Sequence, residues 1–578
     1  MSPDLHRVTR RFFCLAAAKV TAFGLIMARL YQLQWIRGPY FQTLSDKNRT
    51  VLRLIPPPRG IVYDRNGTPL IHNTYRFRAI FVGEHLTRLR SVLQQLALPL
   101  NLSADDITMI LKKFRQHSPL SPLCLKEDLS WKEVANLESL TLPNLTIEKG
   151  HWRLYPLESS FAHVGGYTLS PPDSSIPGYH QGMSGLEKVW NDSLQGKLGS
   201  QSIEVNAQRR IVRNLTLSPA IHGEDQHTTI HGDLQKLLFQ KLQPFRCGAG
   251  VLIHIPTGHI LACASVPSFD PGSFSRSDHW QALSQDPHAP LINRALSGLY
   301  PPASLIKMAT LLAAFEQKII SPQTEVHCSG HWDFHGHRFH CWKKIGHQNL
   351  NALQALTQSC DTFFYHIAQR LDPMIFHRVC QTLGLGTQLL PLWDEEKTGT
   401  VPTPQWTRRY QGRSWRTSDM FMNVIGQGAM SATPLQMAVM TARLASGLCV
   451  RPSLHQKDSH PFPTLGNIPF LSFVQQAMFE VVNSARGTAR ACARLCPELA
   501  GKTGTGQVHR ISLQEREEGL AHGRHRPWHM RDHGLFCGYA PFSQPQVAIS
   551  LILEHAGGGS RTSAPVAAAI VNQALKVL

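Results

Sequence analysis

A largely apolar run over residues 12–30, preceded by Arg7, Arg10 and Arg11, limits what this chain can fold into more than any other feature. The run is about long enough to cross a bilayer, and a lipid-exposed span that must satisfy its own backbone polar groups is a helix. No small-residue cleavage site closes it, so residues 12–34 read as an uncleaved signal anchor. The arginines keep residues 1–11 in the cytoplasm as a short tail and direct the remainder outward. Lys19 inside the run costs roughly 2.5–3.5 kcal/mol on insertion scales, which leaves an amphipathic core helix as the competing reading. No second run of this length occurs, so one crossing is expected.

At 578 residues the chain is too long for one core, and roughly two to four domains are expected. Its 58 Lys and Arg against 39 Asp and Glu give a formal charge of +19, which points to nucleic acid, anionic lipid or a cell-wall polymer as partner. Zinc-finger spacing, an RNA-binding signature and a clear helix-turn-helix are missing and the basic residues are scattered, so no nucleic acid is expected.

After the anchor, Pro56, Pro57, Pro58 and Gly67 force extended and turning backbone, and short alternating segments with polar turns continue to about residue 215. Residues 40–215 read as an elongated mixed α/β pedestal. From about residue 220 the texture changes. T-T-I-H-G-D-L-Q-K-L-L-F-Q-K-L opens as a helix, and G-A-G-V-L-I-H-I-P-T-G-H-I-L-A-C-A reads as two strands joined at Pro256, Thr257 and Gly258. Helical patterns fill much of 304–445, two more strands follow as G-L-F-C-G-Y-A and Q-V-A-I-S-L-I-L-E, and a last helix ends the chain. Strands at both ends of a segment with helices between them predict one sheet flanked by helices, an α+β domain over residues 220–578.

Chemistry concentrates in that domain. In Y-P-P-A-S-L-I-K the prolines can open a helix but not continue one, so Ser304 falls in the first turn and Lys307 one turn later on the same face. A serine needs a base to become a useful nucleophile, and a lysine partly desolvated beside Leu305 and Met308 can lose its proton. Alone, S-x-x-K should arise by chance about once or twice in a chain of this length. Two further elements follow in order. Ser359-Cys360-Asp361 offers a second hydroxyl and a carboxylate ahead of a helix. Lys502-Thr503-Gly504-Thr505-Gly506 reads as a strand whose glycines admit another backbone and whose cation suits a substrate carboxylate.

S-x-x-K, S-x-D and K-T-G in this order mark the penicillin-recognising serine enzymes, and the chain resembles a class B penicillin-binding protein of the elongation type. The likeness extends through P-P-R-G-I-V-Y-D-R-N-G, G-L-E-K-V-W-N-D-S-L-Q-G, G-Q-G-A-M-S-A-T-P-L-Q-M-A and R-D-H-G-L-F-C-G-Y-A-P. S-x-D in place of S-x-N favours the elongation over the division type. Thr503, where that type often has Ser, is a departure that keeps the hydroxyl.

The resemblance implies a peptidoglycan DD-transpeptidase, inhibited covalently by β-lactams, with Ser304 as nucleophile and Lys307 as its base. Ser359 would shuttle the proton, Asp361 would orient Lys307 and the substrate amide, and Lys502 and Thr503 would bind the carboxylate. Backbone N–H groups of Ser304 and Thr505, the latter just beyond Gly504, would form the oxyanion hole. It also implies the bacterial inner membrane as location and stem peptides of a lipid-linked precursor as substrates. A RodA-type SEDS glycosyltransferase and other elongation-complex proteins would be its partners, with no organic cofactor. A β-lactamase or DD-carboxypeptidase, and an inactive scaffold, are the alternatives. The long N-terminal module argues against the first, intact Ser304, Lys307 and Lys502 against the last.

Twelve cysteines are spread unevenly along the chain, but Cys328, Cys341 and Cys360 cluster with His347 as C-x12-C-x5-H-x12-C. Three thiolates and one imidazole make a closed tetrahedral structural zinc site. The spacing alone leaves open a Cys328–Cys341 disulfide with Cys360 a buried thiol. The resemblance favours zinc, since some elongation-type proteins carry a site here. Cys328 is the least fixed of the four, because His327, His331, His335, His337 or His340 could substitute.

Overall fold

In a computed structural model the described residues are 3–578 apart from 84, 117–121, 141, 143, 172–175, 206–210, 275–276, 459–460, 510–514 and 516–525, so the first two residues of the expected cytoplasmic tail lie outside them. The chain divides into two compact units, Met1–Pro58 with Gly196–His222 and Arg59–Gln195 with Gly223–Leu578.

The first unit opens with helix Pro3–Tyr31, followed by the π-turn Gln32–Ile36 and helix Gly38–Arg49. Arg10–Ile36 is long and apolar enough to cross a membrane, and Phe12, Val20, Phe23 and Leu25 are exposed on it as a lipid-facing helix requires. Strand Gly199–Val205 lies between Thr50–Ile55 and Ile211–Ser218 in an antiparallel sheet.

In the second unit, residues 59–195 build a sheet around the long strand Pro69–Phe81, which pairs with both Leu123–Leu129 and Leu145–Leu154. Helices Leu86–Leu96, Ala104–Gln116 and Trp131–Ser139 cover it through Leu89, Leu93, Ile110 and Val134. Glu187, fully buried, accepts from Arg59 and Arg153, both at 2.6 Å, which ties the P-P-R-G segment to strand Leu145–Leu154 and helix Gly185–Val189. The two arginines hold its carboxyl below the usual range despite its burial.

Residues 248–576 contain the sheet that the sequence predicts from its two ends. Five antiparallel strands run in the order Ile260–Val266, Gly248–His254, Val547–Leu553, His533–Ala540, Ala500–Gly506. Both faces are covered, which is why the strands are buried almost throughout and all but Ala500–Gly506 read as largely apolar runs. Helices Gly232–Leu242 and Ser563–Val577 bury Leu238, Ala567 and Val571 against Phe536, Ile549 and Leu551. On the other face lie Leu535, Cys537, Ala548 and Ile552 with Lys307–Glu316 and Pro434–Ser446. Ala500–Gly506 is the edge strand, so its outer rim is left for something other than the sheet.

Candidate active site

Ser304 sits in a single 3-10 turn, Ala303–Ile306, and the α-helix proper begins at Lys307. The sequence predicts a helical first turn; the backbone tightens it because Ala303 is held left-handed, at φ 50°, with its N–H donated to the Gly426 carbonyl at 2.8 Å. Gly426 is itself left-handed, and a Cβ there would stand 2.3 Å from the Ala303 carbonyl oxygen, so only glycine permits the contact. The turn packs against the edge strand. A Cβ on Gly504 would meet Leu305 Cγ at 3.3 Å and the Pro302 carbonyl oxygen at 3.4 Å, which explains the glycine of K-T-G.

Lys307 is fully buried and donates to three oxygens: Asp361 Oδ1 at 2.7 Å, the Ser359 carbonyl at 3.0 Å and Ser359 Oγ at 3.3 Å. Its ammonium also lies 5.2 Å from the centre of the Phe364 ring, a cation–π distance. Lys502, equally buried, reaches Ser359 Oγ from the other side at 2.9 Å and bonds the Thr503 carbonyl at 3.0 Å. One serine hydroxyl thus bridges the two lysines. Burial, and then the nearby charge of Lys307, pull the Lys502 ammonium well below the usual lysine range, against a smaller opposing pull from Asp361.

Ser359 holds a left-handed backbone, φ 56°, which costs a non-glycine residue about 1–3 kcal/mol. It is fixed there from several directions. Cys360 N–H bonds the Ala355 carbonyl at 2.9 Å, and Asp361 starts helix Asp361–Ala368, where its charge favours the helix N-terminus. The second carboxylate oxygen of Asp361 accepts from the Trp342 amide at 2.9 Å, and the Trp342 indole N–H donates to the Ser359 carbonyl at 3.0 Å. The sequence reasoning does not single out Trp342, although its position directly after Cys341 is the signal that could have. Two more supports on the strand side go unpredicted: Gln427 Nε2 donates to the Thr505 carbonyl at 3.3 Å, and Thr488 and Thr503 hydroxyls meet at 2.8 Å.

The four cysteine-cluster residues also come together. Cys328, Cys341, His347 and Cys360 are all buried, with their sulfur and nitrogen ligand atoms within 4.8 Å of one another. His347 Nδ1 stands 3.5 Å from both Cys328 Sγ and Cys341 Sγ. Metal bonds of about 2.0–2.1 Å to nitrogen and 2.3 Å to sulfur give a tetrahedral N···S edge of about 3.5 Å, so the set fits a zinc-sized ion. All twelve cysteines are free thiols, and no disulfide joins Cys328 to Cys341. The three thiols hydrogen-bond one another, which pulls Cys328 down and pushes the other two up, Cys341 to about 11 and Cys360 further. The Cys328 thiol further donates to the Thr362 hydroxyl at 3.2 Å, and the Asp361 amide donates to Cys341 Sγ at 3.4 Å. The cluster therefore holds the chain at Cys360, Asp361 and Thr362, directly after Ser359.

Among known proteins, residues 248–576 match the penicillin binding protein transpeptidase domain and residues 54–228 the penicillin-binding protein dimerisation domain. The chain is 32% identical to the peptidoglycan D,D-transpeptidase MrdA of Salmonella typhimurium, over 96% of this chain and 94% of that one. It superposes on penicillin-binding protein PBP2 in complex with MreC from Helicobacter pylori with a TM-score of 0.80 at 26% identity, covering 91% of this chain and 99% of that one. A chain from a structure titled for the coordination of polymerization and crosslinking by a peptidoglycan synthase complex matches with a TM-score of 0.67 at 26% identity, over 97% of each chain.

Proposed function

The chain belongs to the penicillin-binding protein transpeptidase family and is a peptidoglycan D,D-transpeptidase of the elongation type, and we propose that it works through Ser304. Ser304 Oγ attacks the carbonyl of the D-Ala-D-Ala amide while Lys307 takes its proton. The oxyanion forms against the N–H groups of Ser304 and Thr505. As the C–N bond breaks, the proton passes through Ser359 to the departing amine, and D-Ala leaves. An amine of a second stem then attacks the ester, returns its proton along the same line, and leaves the two stems joined. Lys502 and Thr503 hold the substrate carboxylate. The observation that carries this reading is the Lys307–Ser359–Lys502 bridge, which connects the base beside Ser304 to the strand where the substrate would lie.

The zinc reading belongs to the same proposal. Cys328, Cys341, His347 and Cys360 hold a structural zinc, which supplies rigidity rather than catalysis because all four positions are filled. No organic cofactor enters the reaction. Residues 40–215 form the pedestal and 220–578 the transpeptidase domain, anchored in the bacterial inner membrane by residues 12–34 with the bulk of the chain in the periplasm. Stem peptides on the lipid-linked precursor are the substrates. A RodA-type SEDS glycosyltransferase and MreC-like elongation proteins are the partners, a reading supported by the complexes in which the similar structures occur.

The test is labelling of the full-length protein with a fluorescent penicillin and mapping of the modified peptide. The adduct is expected on Ser304, and Ser304→Ala should remove it. Stoichiometric labelling of that variant would sink the assignment.

A further inference from the structure

The segment that delivers Ser304 can do little to hold itself. Pro301 and Pro302 carry no N–H, so the backbone between Tyr300 and Ala303 has no donor to offer and is fixed at its two ends. At the far end the Ala303 N–H is donated to the Gly426 carbonyl. At the near end Tyr300 exchanges two backbone bonds with Ala432, donating at 3.0 Å and accepting at 2.9 Å. The proline rings lock φ at about −65°, so a shift at Tyr300 passes along the segment instead of being absorbed by it.

The side chain of Tyr300, itself buried, supplies a further hold. Its hydroxyl donates to Glu554 Oε1 at 2.6 Å, a short bond of the charge-assisted kind. Glu554 directly follows Val547–Leu553, the central strand of the five-stranded sheet, and its N–H is donated to the Cys247 carbonyl at 2.9 Å. Arg294, also buried, donates its Nε to the same carboxylate oxygen at 2.8 Å and its other two nitrogens to the Ala289 and His288 carbonyls. Burial opposes a charge on Glu554, but Arg294 and the Tyr300 hydroxyl hold its carboxyl below the usual range. The tyrosine ring is enclosed as well. A Cβ on Gly298 would stand 2.5 Å from Tyr300 Cε2, and the ring meets His533 edge to face with centroids 5.7 Å apart.

The ion pair of Arg294 and Glu554 is complete without the tyrosine, so what the 2.6 Å bond adds is the position of Tyr300. That position matters because Ala303 stands left-handed at φ 50°, a state that a residue with a side chain leaves when its anchors loosen. Relaxation there would carry Ser304 away from Lys307.

We propose that Glu554, acting through the Tyr300 hydroxyl, is a positioning residue for the nucleophile: it registers the segment leading to Ser304 against the central strand of the sheet whose edge strand carries Lys502 and Thr503. The inference rests on the Ser304 reading. Neither Glu554 nor Tyr300 touches the substrate or moves a proton. Their contribution is to alignment, and a misplacement of about 1 Å at a reacting atom can cost about 10²-fold in rate.

The test separates noncovalent affinity from the acylation rate constant, by stopped-flow with a fluorescent penicillin and full-length protein in detergent. Tyr300→Phe removes one oxygen and leaves the pair of Arg294 and Glu554 in place. Its acylation constant should fall about tenfold, the scale of one lost hydrogen bond to a charged group, with noncovalent affinity nearly unchanged. Val571→Ala truncates a core side chain on helix Ser563–Val577, against the other face of the sheet, and serves as a control that loses stability at a distance. It should acylate at the native rate. A native acylation constant in Tyr300→Phe would overturn the assignment, as would an equal fall in Val571→Ala, which would mean that the rate follows stability alone. Should Tyr300→Phe not fold, Glu554→Gln, which keeps both partners and weakens the bond by removing its charge, is read in the same way. A penicillin adduct of the native protein that maps away from Ser304 would refute the Ser304 reading, and this inference with it, before any variant is made.

Discussion

The helix that opens with Lys307 and the strand that carries Lys502 each bury a lysine completely, and they treat its charge differently. On the helix the ammonium meets a carboxylate at 2.7 Å, and that carboxylate is itself fixed by the Trp342 amide. On the strand the ammonium meets only a hydroxyl and a carbonyl, and among the described residues no carboxylate bonds it. A buried cation without an anion is unfavourable, and the folded protein tolerates it where the missing anion arrives with the substrate. In the proposed mechanism the helix lysine would carry the proton in a constant surrounding, and the strand lysine would receive the substrate carboxylate. Both converge on Ser359, which makes the Ser359-Cys360-Asp361 segment the hinge of the comparison.

The largest effect should come from breaking that segment rather than either lysine. If Cys328, Cys341, His347 and Cys360 hold zinc as proposed, Cys360→Ser is expected to release it and to abolish penicillin acylation although Ser304 is untouched. A structural zinc contributes on the order of 10 kcal/mol of apparent folding free energy. Metal analysis of the purified variant beside gel labelling checks this, and a zinc-free protein that acylates at the native rate would remove the cluster from the mechanism. Next is the helix lysine. Lys307→Ala should slow the acylation step itself by about 10²–10⁴-fold, the range for losing a positioned general base, with little change in the preceding noncovalent affinity for the β-lactam. Stopped-flow separation of the two steps decides it.

Lys502→Met should show the opposite division. Loss of a charge-assisted hydrogen bond of about 1.5–3 kcal/mol weakens noncovalent binding of a carboxylate-bearing β-lactam roughly 10–100-fold. The acylation step should fall less than in Lys307→Ala. If both variants lose rate and affinity in the same proportion, the two lysines form one functional unit and the distinction between them fails.

How much of this is legible in the sequence follows the range of the interactions. Ser304 and Lys307 are three residues apart, so their shared face can be read directly. Four strands of the five-stranded sheet are legible because both-face burial makes each a largely apolar run, whatever its partner, and the fifth, Ala500–Gly506, is legible from its glycines instead. The left-handed Ala303, and with it the 3-10 turn, depends on Gly426, more than a hundred residues away. Trp342 acts on the site through its backbone amide and indole, and only its position directly after Cys341 hints at either in the sequence. The pairing of Thr50–Ile55 with Gly199–Val205 is likewise set by tertiary register rather than by local sequence. The cysteine cluster lies between these cases. Spacing alone leaves zinc and a disulfide open; the fold adds that both cysteines are free thiols and that His347 and Cys360 lie beside them, neither of which the spacing shows.

The smallest effect is in stability, and it tests the strand lysine without any substrate. Burial lowers the folded-state pKa of Lys502 well below that of the unfolded chain, about 10.4. Between those two values the unfolded state binds more protons than the folded one, so unfolding free energy rises with pH across that window. Below the folded pKa both states carry the proton and the full cost of the buried charge is present. Lys502→Met removes the cost at every pH. The variant should therefore unfold at higher denaturant concentration than the native protein at neutral pH, with the advantage shrinking as pH rises toward 10. Urea titrations of both proteins in detergent at several pH values measure the difference, in which other titrating groups cancel. A bound carboxylate would stabilise the protonated form and raise the Lys502 pKa, so noncovalent binding to the native protein should weaken as pH rises through the free-enzyme value. A native protein more stable than Lys502→Met at neutral pH would mean that the strand lysine already has its counter-charge, and the contrast with Lys307 would disappear.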